Sequence, residues 1–293
     1  MSKKKLWTAV PSPFLVPADG KFKIAEAPTD PPGEVDKSEL EDALEEHVGA
    51  IRDLQRKLYA SDDYSVLFVF QAMDAAGKDG TIRAVFTGVN PAGFQVSAFK
   101  APSHEELDHD FLWRVARRLP ERGRIGVFNR SHYEEVIIVR VHPEFLDKQK
   151  LPRIDLKNIW TERYESIRGF EEHLARNGTI IVKFFLNVSL AQQKRRLIRR
   201  IDRPSSNWKF NPDDVAERER WPEYMRAFED ALNETSRPWA PWYAIPADNK
   251  PYMRLQVARI IEETLASLGV DFPTISDEAH AALADCRNLL ESQ

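Results

Sequence analysis

Val66-Leu-Phe-Val-Phe-Gln-Ala-Met-Asp-Ala-Ala-Gly-Lys-Asp-Gly-Thr81 decides the fold. Its first half is a β-branched and aromatic run, the composition of a strand buried on both faces. The run ends in a turn of small residues, after which Gly77-Lys78 opens a helix. Strand, loop and helix N-terminus in that order point backbone N–H groups at an anion, and the lysine adds a point charge toward outer phosphates. Ala75, Ala76, Gly77, Lys78, Asp79, Gly80 and Thr81 are therefore the candidate phosphate-binding residues. The pattern departs from G-x-x-x-x-G-K-[ST] twice: Ala72 stands for the first glycine and Asp79 for the magnesium-binding hydroxyl. Thr81, two positions on, is the candidate substitute for that hydroxyl. Asp74, inside the loop, would repel an anionic ligand unless a cation sat between them, so it argues for Mg2+. An ordinary glycine-containing strand-to-helix turn fits the same residues, and the loop alone leaves both readings open.

Around this unit strands and helices alternate. Strands are predicted over 94–99, 124–128, 179–186 and 242–245, and helices over 39–59, 78–89, 103–118, 154–177, 190–201, 213–234 and 251–268. Ser103 with Glu106 has the spacing of a capping box, and Asn177-Gly178 is a helix stop. Such alternation predicts an α/β fold, a doubly wound parallel sheet with right-handed crossovers. Residues 1–36, rich in proline and charge, read as an extended arm, 37–270 as the body and 271–293 as a tail.

Composition narrows the function classes. At 42% hydrophobic and 30% charged residues the chain is globular, and a net charge of −4 offers no global attraction to nucleic acid or membrane. Any polyanion site must be a local patch. One cysteine, Cys286, excludes an intrachain disulfide and fits a reducing compartment. The basic start is followed by Pro11, Pro13 and Pro17 rather than an apolar core, so a cytoplasmic location is expected.

Two further segments carry charge where such a loop would use it. The strand predicted at 124–128 runs into Asn129-Arg130-Ser131-His132-Tyr133-Glu134. Arg130 would emerge at the carboxyl edge of the sheet, where its planar fork suits two phosphate oxygens, with Glu134 in reach as a direct or indirect metal partner. Ser131 capping the next turn, with Glu134 as its partner, is the bland alternative. Lys194, Arg195, Arg196, Arg199, Arg200 and Arg203 follow one another on a predicted helix with Asp202 as the one acid among them. They read either as a solvated face or as a track for a polyanion, with the proline-broken stretch from Pro204 to Pro212 as the loop of a lid.

Taken in order, the motifs become recognisable. Gln71-Ala-Met-Asp-Ala-Ala-Gly-Lys-Asp-Gly-Thr81, Gly88-Val-Asn-Pro-x-Gly93 and His109-Asp-Phe-Leu-Trp-Arg114 come first. Phe128-Asn-Arg-Ser-His-Tyr-Glu134, Arg196-x-x-x-Arg200-x-Asp202-x-Pro204-x-x-x-Trp208-Lys209 and Ala240-Pro-Trp-Tyr-x-Ile-Pro-Ala-Asp-x-Lys250 follow. Over roughly residues 40–268 the chain resembles the polyphosphate kinase-2 family, relatives of thymidylate kinase in fold. Both departures from the standard loop, Asp74 and Asp79, belong to that family's own pattern.

The resemblance implies a P-loop kinase-like three-layer α/β/α fold with a central parallel sheet and a helical lid at about 190–225. It implies reversible transfer of a terminal phosphoryl group between inorganic polyphosphate and a nucleotide, with Mg2+ or Mn2+. Lys78 and Arg130 would hold the reacting phosphates and Asp74 the metal, with Asn90 and Asn129 in the nucleotide-binding set. Arg196, Arg200, Arg203 and Lys209 would belong to the lid that tracks polyphosphate. Asn129, where many relatives have aspartate, followed by His132-Tyr133-Glu134, looks like the class III subgroup, associated with phosphorylation of both AMP and ADP to give ADP and ATP. Glu134 is the residue tied to AMP use and to a second metal. Dimers or tetramers are implied, and neither nucleic acid nor a membrane is expected as partner. Two rivals stay open: an ATP-dependent nucleoside monophosphate kinase, and a non-enzymatic nucleotide-binding switch.

Overall fold

The computed structural model describes residues 6–208 and 210–293. Among them β1 (Ser65–Gln71), β2 (Phe94–Ala98), β3 (Ile125–Asn129), β4 (Thr179–Asn187) and β5 (Trp242–Pro246) form one all-parallel sheet in the order β2-β3-β1-β4-β5. β1 is central and buried along its whole length, as is β4, which is why both read as near-continuous apolar runs. β1 lies between β3 and β4, so the chain leaves it in opposite directions on its two sides and a crevice opens beyond its carboxyl end. The register pairs Phe70 with Asn129, which brings the end of β3 beside the loop that follows β1.

Helices α1 (Lys37–Ser61), α2 (Lys78–Val85), α3 (Ile159–Arg176), α4 (Leu190–Asp202), α5 (Trp221–Thr235), α6 (Lys250–Ala266) and α7 (Asp277–Glu291) flank or follow the sheet. Period-two alternation on β4 separates the two layers. Lys183 points to α3 and the end of α5, reaching Glu171 and the Thr235 carbonyl. Phe184 points the other way, against Phe68, which meets Phe86 just after α2. α1 packs along α6, and α6 also meets α2.

Three predicted helices differ from the structure, each for a local reason. The Ser103–Glu106 capping box forms, but its helix is only His104–Leu107. The Asp110 carboxylate then takes the Leu112 N–H at 2.9 Å, and a second short helix, Trp113–Ala116, starts afresh. Asp155 likewise turns the chain by accepting from Lys157 N at 3.0 Å, so α3 begins at Ile159 rather than 154. The stretch predicted as one helix over 213–234 splits at Pro222, which fits the first turn of α5 and not a helix interior.

The segment before α1 is extended yet fastened to the body. Val16 N donates to Trp242 O at 2.9 Å and Ala244 N to Phe14 O at 2.8 Å, an antiparallel contact along the outer side of β5. Val10, Phe14, Val16 and Ile24 are buried in the main core. None of the described helices is long and apolar enough to cross a membrane.

Candidate active site

The chain leaves β1 through Ala72–Gly77 and enters α2 at Lys78. Two residues of that loop take left-handed conformations, Ala75 at φ +62° and Gly77 at φ +114°. A Cβ on Gly77 would stand 3.2 Å from the Met253 side chain of α6, so the loop passes close to its neighbour where only glycine fits without adjustment. Lys78 is buried, and its ammonium curls back over the loop to donate to Ala72 O at 2.8 Å and Met73 O at 3.4 Å. Burial pushes its pKa down, against the pull of the Asp74 carboxylate.

Arg130, the first residue beyond β3, also has a left-handed backbone, at φ +61°. Its N–H donates to Phe70 O at 3.0 Å, and this bond across the strand ends turns the side chain toward the loop. The guanidinium donates to Asp74 Oδ1 at 2.7 Å and lies 3.7 Å from Glu134 Oε2. Asp74, Lys78, Arg130 and Glu134 thus share one small volume. Burial raises the Asp74 pKa, but Lys78 and Arg130 outweigh it and hold the carboxyl below its ordinary value. For Glu134 burial wins: its pKa is raised despite Arg130 and Lys78, with the Asp74 charge adding to the rise. The two carboxyls are driven apart in acidity by their surroundings.

The donor set fits a hard divalent cation. No group of three or more metal-ligating side chains occurs among the described residues. Asp74 keeps 39% of its side chain accessible, and Arg130 takes one of its oxygens. Mg2+ is characteristically held by one or two carboxylates, with phosphate oxygens and waters filling the remaining positions. Asn129 reaches over to donate to Asp79 Oδ1 at 2.7 Å, tying the end of β3 to the first turn of α2. Beside that bond a cleft of about 400 Å3 runs along α2 to β2, walled by Ile82, Phe86, Phe94 and Val96.

Several expected site residues are placed differently. Arg196 does not project from a lid: it is buried, and its guanidinium donates to Ala75 O and Ala76 O on one side. On the other side it donates to Ala247 O at 2.5 Å and Asp248 O at 3.0 Å. It is a brace between the phosphate loop and the loop after β5. Thr81 does not replace the P-loop hydroxyl; it is buried, donates to Gly77 O at 3.0 Å and faces the Met253 sulfur. Asn90 closes its own turn by accepting from Ala92 N at 3.0 Å. Ser131 does cap the turn after β3, accepting from Tyr133 N at 3.2 Å, and Glu134 still faces Arg130. Arg200 is ion-paired with Asp214 at 2.9 Å, Arg203 is exposed at the end of α4, and Lys209 lies outside the described residues.

Other residues join the site without having been foreseen. Gln193 donates to Asp74 O at 3.0 Å and accepts from Arg218 at 2.5 Å, so the opening turn of α4 steadies the loop. The Gln71 amide donates to Ser131 Oγ at 3.2 Å, beside Glu134, whose charged form it favours. Asp214, ion-paired with Arg200, lies near enough to Asp74 and Arg130 for both charges to act on its carboxyl. A glutamine ending an otherwise apolar strand was the one local signal for Gln71; nothing local distinguished Asp214 or Arg218.

Comparison with known proteins agrees with this fold. The family model described as Polyphosphate kinase 2 matches residues 34–272. An ADP-polyphosphate phosphotransferase of Rhodopseudomonas palustris is 52% identical over 256 residues, 87% of this chain and 89% of that one. An AMP/ADP-polyphosphate phosphotransferase of Meiothermus ruber is 43% identical over 89% of this chain and 94% of its own. The crystal structure of Polyphosphate Kinase 2 from Arthrobacter aurescens TC1 superposes with a TM-score of 0.82 at 36% identity, covering 94% of this chain and 99% of that one.

Proposed function

The chain belongs to the polyphosphate kinase 2 family, and from that premise we propose that it moves the terminal phosphoryl group of inorganic polyphosphate to AMP and to ADP, reversibly and with Mg2+. Relatives named for ADP alone and for AMP and ADP together support the reaction class, and they make the acceptor the point to test. The observation that carries the reading is the Asp74–Arg130–Glu134 chain of contacts beside Lys78 at the carboxyl end of β1.

In the forward direction a terminal phosphate oxygen of the acceptor attacks the end phosphorus of polyphosphate. The new P–O bond forms as the bond to the penultimate phosphate breaks, and the shortened polymer leaves with that electron pair. Such a transfer needs alignment and positive charge around dispersed negative charge, and little covalent help. Lys78 and Arg130 supply the fixed cations, and the N–H groups of Ala75 to Gly80 line the cradle. Asp74 would hold the divalent ion, which screens the meeting anions. Glu134, a half-buried carboxylate next to Arg130, is the acceptor-selecting residue, at the position where the shorter phosphate of AMP leaves room for water or a second ion. Arg200, Arg203 and Lys209 would follow the outgoing polymer. Loss of Lys78 or Arg130 removes about 3–4 kcal/mol of transition-state stabilisation, the scale for one preorganised charge donor.

The test is ATP formation from ADP, and separately ADP and ATP formation from AMP, with polyphosphate and Mg2+, in wild type and Glu134→Asn. Product from both acceptors, with AMP use selectively lost in the variant, is the expected result. Activity with ADP alone retains the reaction and rejects the dual-acceptor assignment. No transfer from polyphosphate, alongside transfer from ATP to a nucleotide, transfers the chain to the ordinary kinases.

A further inference from the structure

Behind the turn that presents Arg130 and Glu134 lie two buried ion pairs that phosphoryl transfer does not itself use, and both are built on α3. Glu171 meets Lys183 of β4 at 2.5 Å, with both side chains sealed from solvent. The Tyr133 hydroxyl joins them, donating to Glu171 Oε1 at 2.8 Å and accepting from Lys183 at 3.0 Å. His132 is sealed in beside them, its Nε2 3.8 Å from Glu171 Oε1. Two turns earlier on α3, Arg163 donates to Glu135 Oε2 at 3.0 Å and to Glu135 O at 2.7 Å, and Gln149 adds a bond of 2.6 Å to the same carboxylate.

The pattern along the turn is alternating. Tyr133 and Glu135 point inward and are each tied to α3, while Glu134 between them faces Arg130. Stability alone is a weak reason to bury two ion pairs, since apolar side chains of similar volume commonly serve as well or better. What such pairs do supply is fixed geometry. A left-handed backbone at a residue such as Arg130 persists only where its surroundings over-determine it.

We propose that Glu171 and Arg163 are positioning residues: through Tyr133 and Glu135, α3 clamps the turn His132–Glu135 and so sets the orientation of Glu134 and Arg130 toward Asp74. What is being positioned rests on the reading given under Proposed function; the clamp itself rests on the contacts. Misplacing reacting groups by about an ångström can cost on the order of a hundredfold in rate, so the clamp acts on kcat.

Tyr133→Phe removes the hydroxyl and keeps the ring that packs edge-on against Trp242 at 4.7 Å. The expected result is a kcat lower by about ten- to a hundredfold with either acceptor, with the KM for polyphosphate held within about twofold. A second readout needs no turnover: the Arg130 Nε–Hε resonance, assigned by its loss in Arg130→Lys, should shift or broaden in Tyr133→Phe. Unchanged kcat together with an unchanged Arg130 resonance overturns the clamp, as does a raised KM at full kcat. Should Tyr133→Phe not fold, the double variant Glu171→Leu/Lys183→Met replaces the whole pair by apolar side chains, and the same two readouts decide. A wild type that transfers nothing from polyphosphate defeats the proposed reaction alone; the resonance still decides the clamp.

Discussion

Replacing Arg196 by methionine asks whether a cation of the basic run serves the phosphate loop or the substrate path. Four carbonyls lose a charged donor in that change, two on the loop and two after β5. Hydrogen bonds to a charged group contribute about 1.5–3 kcal/mol each, so the gross loss is about 6–12 kcal/mol. Burial works the other way: it drives the guanidinium pKa down to about 10, from 12.5. At about 1.4 kcal/mol per unit that drop offsets about 3.5 kcal/mol. Water reaching the freed carbonyls, and the packing of the new side chain, bring the net loss to the lower part of what remains, about 3–5 kcal/mol. For a chain of this size that corresponds to a fall in Tm of about 5–8 °C. The assay pairs a thermal melt with kcat and KM measured on a short and a long polyphosphate. A brace predicts a lower Tm and a lower kcat, with KM nearly constant at both chain lengths. Arg196→Lys should not rescue, because one ammonium cannot span carbonyls on opposite sides. An unchanged Tm with a several-fold higher KM, larger for the long polymer, would refute the brace and restore Arg196 to the substrate path.

Two further outcomes follow from the charges. Because the Glu134 pKa is raised and that of Asp74 is lowered, falling pH protonates Glu134 first, so kcat with AMP should decline through the Glu134 titration while kcat with ADP holds until Asp74 takes up its proton at lower pH. Glu134→Gln should be poor with AMP at every pH and keep the wild-type acid limb with ADP; an AMP limb identical in the two proteins would count against the assignment. Lys250 has its pKa held at about 8 by burial and by Arg196, Arg199, Arg254 and Arg203. A bound polyphosphate should raise it again, so at pH 8 binding should take up about half a proton per site. Calorimetry in two buffers of different ionisation enthalpy measures this uptake, and a buffer-independent heat would exclude it.

The legible parts of this chain are those whose causes are local. An apolar run broken by Asp74-Ala-Ala-Gly-Lys78 reads as strand, loop and helix because each residue's preference agrees with its neighbours'. Alternating periodicities gave the parallel sheet for the same reason. Helix continuity was read less well: Asp110 and Asp155 compete for backbone N–H groups, and Pro222 restarts a helix that periodicity alone would carry through. Arg196 was not legible at all. Its partners lie about 50 and 120 residues away, and only the adjacency of the β1 and β5 loops turns an apparently outward cation into a buried brace. Asp214 is the same case, a carboxylate in a polar stretch until α4 is folded beneath it.

The antiparallel contact between residues 14–16 and β5 has a further consequence. An open parallel sheet ends in two rows of backbone groups able to recruit a strand from another molecule. Here the β5 row is closed by the protein's own leading segment, through Val16 and Phe14, while β2 ends the sheet on the other side with Val96 accessible. A fragment that starts at α1 would therefore keep every strand and every residue of the site, yet strip the cover from a fully buried strand and empty the places of Val10, Phe14, Val16 and Ile24. The smallest piece able to do chemistry and the smallest piece able to stay dissolved are different lengths of this polypeptide.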